Sequence, residues 1–143
     1  MFNNVLLAID LNHEASWKKA LPTALDLVRQ SAGTLHLLAV LPDFGMSIVG
    51  SFFPQGFEKD ALEKMQADLL AFVAANVPDD VKSECHLGHG HVTEQILQKA
   101  SGLGADVIVM ASHPPDDVRD FLVGSNASGV VHRSPVSVLV VRG

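Results

Sequence analysis

The chain of 143 residues holds a single cysteine, Cys85. No internal disulfide can form, so a reducing compartment, the cytoplasm, is the expected location. Positive charge is scarce: 10 Lys and Arg stand against 16 Asp and Glu, a formal net charge of −6. That balance argues against a nucleic-acid footprint and against an anionic membrane surface. No apolar run approaches the ~20 residues of a spanning helix, so no membrane insertion is expected. The opening MFNNVLLAIDLNH has no basic stretch, and its apolar run is too short for a signal peptide. Repeats, low-complexity tracts and a domain linker are all missing, so residues 1–143 are expected to form one domain. There is no Gly-x-Ser-x-Gly elbow and no paired-carboxylate or metal-ligand set. Nothing specifies an efficient catalyst, and an enzyme is not expected.

What remains is a regular alternation of buried runs and helix-period segments. Val5–Ile9 reads as a strand ending at Asp10. Residues 16–32 place Trp17, Leu21, Ala24, Leu25 and Val28 on one helical face. Pro22 inside that pattern predicts a kink or a late start, and Gly33 the stop. Leu35–Leu41 is the second strand. Phe57, Ala61, Met65, Leu69, Phe72 and Val73 predict a long amphipathic helix over 57–76. Val81–Leu87 alternates like a half-exposed strand, and Thr93–Leu103 is a helix closed by Gly102 and Gly104. Val107–Met110 is a strand buried on both faces. Ala127–His132 is a last helix stopped by Pro135, and Val136–Val141 a second buried strand. The apolar stretch from Pro42 to Gly56 is too long for a plain connector and suggests a lid or a partner surface.

Strands alternating with helices imply an α/β fold: one doubly wound, five-stranded parallel sheet with helices on both faces. In such a sheet a ligand sits outside the carboxyl ends of the strands, where the strand order reverses. That rule gathers Asp10, Val40, Leu41 and residues 111–114 around one crevice. Gly124, Ser125, Asn126 and Ala127 open the last helix beyond a strand, where free backbone N–H groups favour an anion. Gly124 allows close approach of a phosphate, and Ser125 adds a hydroxyl. The Gly-Lys-Ser/Thr ending of a P-loop is absent.

These residues resemble the universal stress protein family. Its phosphate signature is Gly, two residues, Gly, nine residues, then Gly with Ser or Thr. The same spacing here gives Ala111, Pro114, Gly124 and Ser125: the third glycine and the serine match, the first two glycines do not. VLLAID, LHLLAV and GADVIVMASH extend the likeness over the whole chain. ASHPPD followed by GSNA resembles a branch in which Ala-Ser-His replaces the usual opening. The resemblance implies strand order 3-2-1-4-5 and a bound adenine nucleotide, ATP or else AMP or ADP, with Mg²⁺ as a possible companion. It implies contacts at Ile9, Asp10, Leu11, Val40, Met110, Ala111, His113, Pro114, Arg119, Gly124, Ser125, Asn126 and Ala127. Asp10 would accept from ribose or adenine; the alternative is a cap for the turn that follows it. At Val40 the contact would be made by the backbone. Asp116, Asp117 and Asp120 face a single cation, Arg119, so Mg²⁺ is needed to offset like charge beside a phosphate tail. An interaction protein of the same fold, with an empty nucleotide site, is the competing reading.

Two surface features complete the inventory. His86, His89 and His91 fit no zinc spacing, and no cysteine is suitably placed, so no metal held by the protein is expected. Val136, Val138, Leu139, Val140 and Val141 form an apolar edge strand that invites pairing. A homodimer through the last strand is expected, with Val138 and Val140 near its two-fold axis and an unidentified protein partner reading the state of the module.

Overall fold

The computed structural model describes residues 2–42, 57–112 and 125–142. Its elements follow the expected alternation: β1 (Asn4–Ile9), α1 (Ala20–Ser31), β2 (Thr34–Pro42), α2 (Phe57–Asn76), β3 (Lys82–Gly90), α3 (Val92–Leu103), β4 (Val107–Ser112), α4 (Ser125–Arg133) and β5 (Ser137–Arg142). All four strand pairings are parallel, and the sheet order is β3-β2-β1-β4-β5. The fold is the expected doubly wound α/β sheet. The Pro42–Gly56 stretch falls almost wholly outside the described residues.

Strand parity decides which helix each side chain meets. Val5, Leu7 and Ile9 of β1, with Leu35, Leu37 and Ala39 of β2, pack against Leu21, Ala24, Leu25 and Val28 of α1 and Leu69 of α2. Leu6, Ala8 and Leu38 point the other way, onto Ile96 and Ala100 of α3 and Ala127 and Val130 of α4. The innermost strands are buried on both faces and read as unbroken apolar runs for that reason. Each fully buried Leu, Ile or Val contributes roughly 1.5–3 kcal/mol relative to exposure.

Local details refine the sequence reading. The first helix starts late: a 3₁₀ turn at Glu14–Ser16 precedes α1, and Pro22 falls in the first turn, where its missing N–H costs nothing. The stop is not Gly33. Ala32 takes the left-handed conformation (φ 53°), and its N–H and that of Gly33 both donate to the Val28 carbonyl. Gly33 is required for a different reason: a Cβ there would collide with the backbone of Asn3, whose carbonyl accepts from Thr34 N–H at 2.7 Å. Gly104, by contrast, does close its helix in the left-handed region (φ 65°). The last helix begins two residues before Ala127, so Ser125 and Asn126 form its first turn.

The last strand corrects an expectation. Val136–Val141 reads as buried, but β5 alternates exposed and half-buried residues, and Leu139 is 37% exposed. As an edge strand it is flanked by β4 alone. Val136 and Val138 reach the cluster under α3 and α4, and Val141 the opposite cluster, which leaves Leu139 beyond the reach of α1 and α2.

Candidate functional site

The strand order reverses between β1 and β4, and the expected crevice residues gather there. Ile9 ends β1, paired with Ala39, and Asp10 follows one residue beyond. Val40 is the next position of β2, half-buried against the α3/α4 cluster. Met110 and Ala111 lie near the end of β4 with 1% and 4% exposure. Ala127, in the first turn of α4, belongs to the same cluster as Met110. The end of β4 and the start of α4 are thereby held side by side, with the first-turn N–H groups of Ser125 and Asn126 lacking intrahelical partners. Leu11 packs against the α1/α2 cluster at the base of the β1 turn. His113, Pro114, Arg119 and Gly124 lie outside the described residues.

Asp10 organises its own turn. Oδ1 accepts from Asn12 N–H at 3.0 Å, and Oδ2 meets His13 Nδ1 at 2.8 Å. Its backbone N–H donates to Ser16 Oγ, and the Ser16 hydroxyl has the Asp10 and His13 carbonyls within reach of its one proton. Ser16 is 2% exposed, so this small network is fixed from below. The capping role is therefore filled. The carboxylate remains 24% exposed and keeps lone pairs for a further donor.

A second polar group lies in the other half of the sheet, and spacing along the chain did not point to it as a set of three. His36 of β2 is 4% exposed. Its Nε2 is 3.2 Å from Asn4 Oδ1, and its Nδ1 is 2.9 Å from His86 Nε2 on β3. Glu84 Oε2 stands 3.8 Å from the same Nδ1. The register explains the meeting: His36 pairs with Glu84 and Leu38 with His86, so all three side chains share the α3/α4 face. His89, three residues from His86 on a continuous strand, has the opposite parity. Burial lowers the pKa of His36, against a smaller upward pull from Glu84. Burial also lowers that of His86, helped by His36 and by Lys99 of α3 and opposed by Glu84. Both imidazoles are accordingly held neutral near pH 7. The one available signal was Glu84-x-His86, a pair on one strand face; its buried partner is 50 residues away. Cys85 faces the opposite cluster, and burial pushes its thiol up, away from reactivity.

Comparison with known proteins gives the same frame. Residues 1–142 match the profile described as the Universal stress protein family. The chain is 30% identical over 148 aligned positions to Universal stress protein G of Escherichia coli O157:H7, covering 99% of this chain and all of that one. Among solved structures, a universal stress family protein from Burkholderia pseudomallei superposes with a TM-score of 0.71 at 20% identity, covering 98% of this chain and 96% of the other. A universal stress protein solved in complex with cAMP superposes with a TM-score of 0.62 at 19% identity, covering 99% and 97%. With the sheet order, the whole-length match and the relative at 30% identity in agreement, this chain belongs to the universal stress protein family.

Proposed function

We propose that the protein is a small adenine-nucleotide-binding module of the stress response, acting through dimerisation and partner binding with little or no catalysis. One observation carries this reading: Asp10, Val40, Ala111 and the first turn of α4 converge at the carboxyl edge of the sheet, at the point where strand order reverses. In this reading Asp10 accepts from ribose or adenine, the backbone at Val40 reads the adenine edge, and the Gly124–Ala127 turn holds phosphate with its N–H groups. His113, Pro114 and Arg119 border the phosphates, and Mg²⁺ offsets the acidic residues of that loop. The relative solved with cAMP supports an adenine nucleotide as the ligand class. Release of phosphate from Mg²⁺-ATP is expected at no more than ~10⁻² s⁻¹, against a median near ~10 s⁻¹ for enzymes.

A dimeric interaction protein with an empty site is the second reading. The observation in its favour is that both oxygens of Asp10 already have partners inside the turn. Calorimetric titration with ATP, ADP, AMP and cAMP, each with and without Mg²⁺, separates the two. Saturable binding that Gly124→Val abolishes in a folded protein supports the first reading. Absence of binding by the wild-type chain, or undiminished affinity in Gly124→Val, supports the second or moves the ligand elsewhere.

A further inference from the structure

The polar group on β2 and β3 has the composition of a metal site. Asn4 Oδ1 is an acceptor, so His36 Nε2 carries the proton in that contact. The tautomer is thereby fixed, and His36 Nδ1 is left as a bare lone pair. A second-sphere acceptor on the far nitrogen is the usual companion of a ligating histidine, because it orients the ring and raises its basicity. With His36 Nδ1 as acceptor, His86 Nε2–H donates into that lone pair at 2.9 Å. The donor atoms of His36, Glu84 and His86 all lie within 4.8 Å of one another. Two imidazoles sharing one tetrahedral ion, with bonds of about 2.0–2.1 Å, stand about 3.3 Å apart. The pair needs to open by only about 0.4 Å once the His86 proton moves from Nε2 to Nδ1, a change of tautomer exchanged through solvent that leaves the ring neutral.

The surroundings suit such an ion. β3 is the sheet edge, and Glu84 is 57% exposed, so an ion can reach the group from solvent and the carboxylate can swing onto it. His36 beneath is nearly fully buried and immobile between Asn4 and His86. Lys99 is the opposing charge, near enough to His86 to disfavour a cation there, and it weakens the site relative to a closed structural one. The crevice lies at the other end of the strands: His36 is four residues before Val40, about 13 Å along β2.

We propose that His36, His86 and Glu84 form a binding site for a divalent transition-metal ion of the zinc class, with the remaining coordination position open to water and the whole separate from the nucleotide crevice. Two histidines and a glutamate are a ligand set that leaves zinc such an open position.

The test uses the full chain, stripped with chelator and kept free of nucleotide. Zn²⁺ is titrated by calorimetry and Co²⁺ by its visible ligand-field absorption. One ion per chain is expected, with Kd below about 0.1 mM. His86→Gln and Glu84→Gln should each weaken binding at least about tenfold while keeping the wild-type circular dichroism; these two side chains are partly exposed, so folding is retained. Asn4→Ala should weaken it by about tenfold, and Asn4→Asp, which keeps an acceptor, should restore it. His89→Gln should bind as the wild type does. Gly124→Val should also bind zinc unchanged, whatever it does to nucleotide. Failure of the wild-type chain to saturate, wild-type affinity in both His86→Gln and Glu84→Gln, or loss that follows His89 instead would each overturn the proposal.

Discussion

The two edges of the sheet solve the same problem in opposite ways. At one edge, β3 presents Lys82, Glu84 and His86 toward one side and turns Cys85 and Leu87 into the α1/α2 cluster. At the other, β5 offers Val138, Leu139, Val140 and Val141, with polar residues only at Ser137 and Arg142, its two ends. Each has an outer row of backbone N–H and C=O groups to satisfy. Charge along β3 makes solvent the better partner, while an apolar β5 makes another strand the better partner. In the proposed dimer, β5 is therefore the edge that takes the partner and β3 the edge left to solvent.

The largest effect should come from the strands that both edges hang from. Leu7 is fully buried in β1. Leu7→Ala should lower unfolding free energy by about 2–5 kcal/mol, measured by urea denaturation. Both edges should then loosen together in hydrogen exchange; protection lost at only one would show that the two are not braced by the same core.

Next in size is an effect confined to the β5 edge. Val140→Lys sets a charge into the proposed dimer contact, and light scattering should show the mass falling from that of a pair toward about 15 kDa. A wild-type chain already at the monomer mass at micromolar concentration would remove the contrast between the edges altogether.

Acid should act on β3 and spare β5. The folded-state pKa values of His36 and His86 lie below the ordinary 6.5. Protonation therefore favours the unfolded chain. The stability this pair contributes is fully present above 6.5 and is lost as pH falls through the depressed folded values. In metal-free protein the urea midpoint should drop between about pH 7 and about pH 5, with β3 amides losing protection first. His86→Gln should flatten that slope. A slope of unchanged steepness in this variant would assign the acid sensitivity to other groups.

The smallest effect is a conversion of one edge toward the other. Lys82 is exposed at the start of β3. Lys82→Val should leave stability within about 0.5 kcal/mol and raise concentration-dependent scattering slightly. No change at high concentration would mean that Glu84 and the histidines alone protect this edge.

The element sequence was legible because each strand and helix carries its own period. Val107–Met110 is apolar throughout because β4 is covered on both sides, and Leu69, Phe72 and Val73 recur as one face because α2 is covered on one. The strand ends at Asp10, Val40 and Ala111 could be grouped because the resemblance to the family implied the strand order that the sheet has. The exposure of β5 was not legible: its apolar run looks like that of β4, and only the extent of the flanking helices separates the two. Gly33 likewise looked like a helix stop, while its necessity comes from Asn3, thirty residues earlier.

By itself, then, the sequence determined the alternation of strands and helices and the parallel run of the strands. These depend on local periodicity and on chain direction, which neighbouring residues encode. Tertiary structure alone decided that Asp106 receives the N–H groups of Asn3 and Asn4, at 2.9 and 2.8 Å, locking the starts of β1 and β4 together. It alone decided that His36 meets His86 and Glu84. The physical reason is register: in a parallel sheet, side chains become neighbours across strands some fifty residues apart in the chain, and a shift of one residue would have sent these three to opposite faces.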